Sequence, residues 1–216
     1  MKRSWVFAAI VALVLGQILI GTTNIMADRC LNAVCSVVAQ TSPWSLVFSL
    51  GLLLLLIFHR PRPSEPIADQ PVKLVTRIAA FVIDIYSVMM IVGAVSALPI
   101  LVYSAVASGV FRWGVEISSP DWWDHVIVAA MTLCDLVAIF AYFYLPSVHG
   151  RQTLGQYVLG YRIERIEGKR PNYLALGFSS LMGLGFWPIA LILAARRPDR
   201  EFWWTVDSGL RAVRVG

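Results

Sequence analysis

Apolar runs alternate with polar intervals along this chain, at residues 5–21, 44–58, 77–102, 125–145 and 173–195. A helix needs roughly 20 residues to cross a bilayer core, so the first four read as membrane spans. Gly177, Gly183, Gly185 and Pro188 interrupt the fifth run, which is otherwise long enough to cross. The pattern predicts an all-α polytopic membrane protein: a bundle of four transmembrane helices plus a broken fifth apolar segment. That segment either re-enters the membrane from the inner side or crosses it.

The polar intervals set the modules. Lys2 and Arg3 precede the first run, and Ile25 stands two positions before Ala27 where a cleavage site wants a small residue, so the run reads as an uncleaved anchor. Cys30 and Cys35 lie in the first external loop, 22–43. A disulfide closing so short a loop is sterically allowed; the other reading is two free thiols on a short amphipathic helix. The C-x4-C spacing is not a redox motif, and no nearby Cys or His completes a zinc site. Pro61, Pro63, Pro66 and Pro71 keep the next interval extended. The predicted organisation is therefore an N-terminal hairpin over 1–58, a proline-rich linker over 59–71 and a membrane domain over 72–216.

Composition agrees with the pattern. The chain is 58% hydrophobic and 14% charged, with a mean hydropathy of +0.70, where a soluble domain carries about 25% charged residues. The net charge of +5 does not point to nucleic acid, because the basic residues flank apolar runs and are not interleaved with stacking aromatics. Eleven of the 18 basic residues fall in the N-terminal, 59–77 and 147–172 intervals, against one in each external loop, Arg29 and Arg112. That bias predicts a cell-membrane protein with a cytoplasmic N-terminus and a basic tail kept inside. Arg60, Arg62, Arg196 and Arg197 are candidates for anionic headgroups. Trp113, Trp122 and Trp123 fit an outer aromatic belt.

Only two of the 13 acidic residues lie inside an apolar run, Asp84 and Asp135. An unpaired carboxylate in hydrocarbon costs several kcal/mol, so each should be protonated, hydrated or paired. Arg77, seven residues before Asp84 and roughly 10 Å along a helix, is its nearest basic neighbour. If the third and fourth spans pack together, the two acids could share a proton or hold one cation. In the interval 147–172, the stretch 153–160 reads as a short surface helix that Thr153 can cap. The segment 162–166 alternates like a strand, with Gly168 and Lys169 as a turn.

The run 77–84, RIAAFVID, resembles the first-helix signature of the RDD family, an arginine followed seven residues later by aspartate. The stretch 150–163, GRQTLGQYVLGYRI, is similar to that family's loop, with Thr153, Gly155 and Gly160 at its marked positions. The resemblance covers about 72 to the C-terminus. Gln156 stands where the family carries a base, and Ser208-Gly209-Leu210-Arg211 best matches the terminal turn. That places Trp204 and Thr205 at the family's His-Asp, with Asp207 out of register.

The resemblance implies transport of an ion or a small ligand. A second reading is an inner-membrane assembly or interaction protein, working as a homo-oligomer or beside another membrane protein. In it the acids are structural, with Asp84 tied to Arg77, Arg162 or backbone donors. An enzyme is not expected: His59, His125 and His149 are scattered near span ends, and no serine elbow or His-Glu-x-x-His is present. No cofactor or metal set is predicted.

Overall fold

The computed structural model describes residues 3–20, 25–31, 34–58, 66–118, 121–166, 168–186 and 208–215, together with Ile189, Ile192 and Arg196. In chain order the elements are α1 (Arg3–Ile20), β1 (Ile25–Leu31), β2 (Val34–Gln40), α2 (Pro43–Phe58), β3 (Pro66–Pro71) and α3 (Leu74–Ser108). Then follow β4 (Gly114–Ser118), α4 (Trp122–Val148), α5 (Leu154–Leu159), β5 (Tyr161–Arg165), α6 (Tyr173–Gly185) and β6 (Leu210–Val215).

Three described helices are long and apolar enough to cross a membrane: α1, α3 and α4. α2 is equally apolar but has 16 residues, about 24 Å, short of the roughly 30 Å core. α3 has 35 residues and continues through Pro99. The broken fifth run begins as α6, which ends at Gly185, before Pro188. Of residues 187–195 only Ile189 and Ile192 are described, so the choice between re-entry and crossing lies outside the described residues.

The chain divides into two compact units. The first holds Met1–Ser4, His59–Tyr86 and Ile139–Gly216; the second holds Trp5–Phe58 and Ser87–Ala138. The division between Phe58 and His59 coincides with the expected end of the N-terminal hairpin, while α3 and α4 each contribute residues to both units.

The described chain is mostly helical, as expected, and each unit adds a three-stranded antiparallel sheet that the pattern did not announce. In the second unit the order is β1-β2-β4. Cys30 and Cys35 are thus on a β-hairpin rather than an amphipathic helix. Period-two burial anchors β2: Val37 and Ala39 are fully buried against Ile100, Leu101 and Val128. Helix starts in this unit are conventionally capped. Ser42 Oγ accepts from Ser45 N at 3.0 Å, with Pro43 at the first helical position of α2. Asp121 accepts from the amides of Trp123 and Asp124, and Asp124 Oδ2 accepts from Asp121 N in return.

In the first unit the order is β3-β6-β5. The hairpin expected around Gly168 does not form locally. Instead β5 pairs with the tail strand β6, in the register Tyr161↔Arg214 to Arg165↔Leu210. β6 alternates as a half-buried strand should, with Leu210 and Ala212 buried and Arg211 exposed. The prolines at both ends of β3 fit its edge position. Leu210 packs with Leu176 of α6, and Leu74, Ile78, Ile163 and Tyr173 close around them.

Candidate functional site

Asp84 is the centre of the first unit. It lies on α3 and is 2% exposed. Its Oδ1 accepts from the Tyr142 hydroxyl at 2.6 Å and from the Gly155 amide at 2.7 Å. Its Oδ2 accepts from the Thr153 hydroxyl at 2.6 Å. The Tyr142 oxygen in turn accepts from the Leu154 amide at 3.2 Å. One carboxylate therefore ties together α3, α4 and the start of α5.

The loop is built to meet it. Thr153 is the N-cap of α5, and Gln156 completes a capping box by accepting the Thr153 amide at 3.3 Å. A lysine at position 156 has no acceptor for that amide, so glutamine in place of the family's base has a local reason. Gly155 packs straight onto the backbone of α3. A Cβ there would stand 2.8 Å from the carbonyl carbon of Ala80 and closer still to its oxygen. Gly160 ends α5 at φ 71°, a left-handed position, with its amide directed to the Gln156 and Tyr157 carbonyls. Gln152 Nε2 donates to the Tyr161 carbonyl at 2.6 Å, holding the loop to β5.

Both arginines expected near Asp84 hold backbone or strand contacts, and Arg77 also lines the cavity that Asp84 borders. Arg77 is buried, and its Nε and Nη2 donate to the Val72 carbonyl at 3.1 and 2.8 Å. That closes the turn between β3 and α3. Arg162 bonds Glu164, two residues along β5, from Nε at 2.6 Å and as an ion pair through Nη2. The hydrogen-bond donors at Asp84 are the Tyr142 and Thr153 hydroxyls and the Gly155 amide, a backbone donor as one of the expected alternatives had it. They lie 58, 69 and 71 residues away, beyond what spacing along one helix can show.

Asp135 belongs to the second unit. It is half-buried, and its Oδ1 accepts a hydrogen bond from Ser96 Oγ on α3. The hydroxyl of Ser96 also approaches the Val92 carbonyl at 2.8 Å. Where α4 meets Asp84 it presents Tyr142, seven residues and about 10 Å beyond Asp135 on the same helix. Within its own unit each acid thus has its own partner set.

Tyr142 was not singled out by sequence. Its signal was faint: a phenol inside an apolar run, whose hydroxyl needs a partner when buried. Tyr161 was missed too. Burial pushes its phenol above the usual range, the Asp84 charge adds to this, and Arg77 opposes it. A cavity of about 50 Å³ borders the carboxylate, room for a few waters. Arg77, Gln156, Tyr161 and Ser147 give it polar walls; Phe81 and Phe143 give it apolar ones. Among the described residues no three His, Cys, Asp or Glu side chains are grouped to hold a metal ion. Trp204, Thr205 and Asp207, at or near the position of the family's second aspartate, lie outside the described residues.

The family model described as RDD family matches residues 71–203, more than half of the chain. No curated protein and no solved structure matches it.

Proposed function

The chain belongs to the RDD family, a membrane protein with apolar spanning helices, and on that premise we propose that it is a non-enzymatic assembly or interaction protein in which Asp84 is a structural latch. The observation that carries this reading is the filling of the carboxylate by three donors from two other segments of the chain. A group that relays protons or ions needs a face that exchanges partners. Asp84 is instead committed to docking α5, and with it β5 and the tail strand. The working surface would then be the basic inner face that this docking orders. It would sit against anionic headgroups and a second membrane protein or second copy, with the N-terminus in the cytosol of a cell membrane.

A second reading, transport of an ion or small ligand, is favoured by the cavity beside Asp84 and by Asp135, which takes a single hydroxyl donor. Purified protein in liposomes separates the two. Proton and monovalent-cation flux would be recorded for wild type, Asp84→Asn and Asp135→Asn at matched amounts. The latch reading expects no flux in wild type and poorer folding or insertion of Asp84→Asn. Wild-type flux that both variants lose while inserting normally would make transport the function.

A further inference from the structure

We propose that Cys30 and Cys35 form a cross-strand disulfide that clasps the hairpin of the second unit. The backbone places them directly opposite each other, in a register running from Ile25↔Gln40 to Leu31↔Val34. Only two residues separate the end of β1 from the start of β2. With so short a connection, the flanking pair Leu31/Val34 exchanges both hydrogen bonds, and the next pair outward is of the non-hydrogen-bonded kind. Cα atoms of such a pair stand about 4.5 Å apart, within the roughly 4.4–6.8 Å that a disulfide bridges.

The register does not depend on the hairpin alone. β4 pairs with the other edge of β2, from Ser36↔Ser118 to Gln40↔Gly114. Val37 and Ala39 are locked in the core, and a slip of β2 by one residue would turn both outward. The third cysteine, Cys134, is free and lies on α4. The proposal is independent of how Asp84 is read.

The chemistry is thiol–disulfide exchange with a disulfide-bearing oxidant. One cysteine thiolate attacks the oxidant's disulfide, giving a mixed disulfide and releasing one reduced thiol. The second thiolate displaces the other half of the oxidant as a thiol and closes the Cys30–Cys35 bond. Two protons and two electrons leave the protein, and the oxidant is reduced to its dithiol equivalent. The hairpin joins α1 to α2 at their ends away from Arg3, the side that the basic-residue bias assigns to the outside.

The test uses the full chain in detergent, reduced, then reoxidised with oxidised glutathione and alkylated with maleimide in denaturant. The expected product takes up one maleimide, at Cys134, and three after reduction. Its tryptic peptide holding Cys30 and Cys35 is lighter by two hydrogens before reduction. Cys30→Ser and Cys35→Ser should each free one thiol or leave it as a glutathione adduct. Persistent glutathione adducts on both cysteines of the wild type, three free thiols, or disulfide-linked dimers would overturn the proposal.

Discussion

Asp84 and Asp135 are both acids in apolar helices, yet the two units of the molecule treat them differently. Asp84 is buried and holds three donors, one of them a backbone amide from a loop some seventy residues away. Asp135 is half-buried and holds one hydroxyl from a neighbouring helix. The difference teaches what a carboxylate in such a chain can be used for. An acid held by three donors fixes the chain around it, because removing it strands every donor it satisfied. An acid with one donor keeps acceptor capacity, and its loss strands little.

The contrast breaks if the two acids respond alike to substitution. The largest effect is expected for Asp84→Ala, which leaves the Tyr142 and Thr153 hydroxyls and the Gly155 amide without their acceptor. Stranded buried donors cost about 1–3 kcal/mol each, so a loss of about 3–5 kcal/mol is expected in unfolding experiments in detergent. Gly155→Ala attacks the same junction by steric overlap with Ala80 and should cost about 2–3 kcal/mol. If it is neutral, α5 does not need its close seat on α3. Thr153→Val removes both the helix cap and one Asp84 donor while keeping the shape, for about 1–2 kcal/mol. Asp135→Asn should cost less than about 1 kcal/mol by the same measurement, since one hydrogen bond to a half-buried group is at stake. A cost equal to that of Asp84→Ala would erase the distinction.

Much of this site was legible in the sequence, but not its wiring. Thr153 announces a helix cap, and α5 starts just after it. An acid in an apolar run announces a partner, and Asp84 has three. What spacing along one helix could not supply was the identity of those partners, since they come from α4 and the loop beyond it. The two stretches that resemble the family, 77–84 and 150–163, turn out to meet: the aspartate of one is bonded by the threonine and the glycine of the other. The sheets were less visible for a physical reason. Strands as short as five to seven residues carry few alternations, and their partners lie far along the chain. The alternation over 162–166 made β5 readable, whereas β6 begins within a stretch read only as a terminal turn.

Hydrogen exchange on the full chain in detergent tests the latch most directly, comparing wild type with Asp84→Ala. The latch account predicts that amides of Leu154–Leu159 and of β5 lose protection in the variant, while those of α1 and α2 exchange as in wild type. Unchanged protection of Leu154–Leu159 in the variant would contradict it.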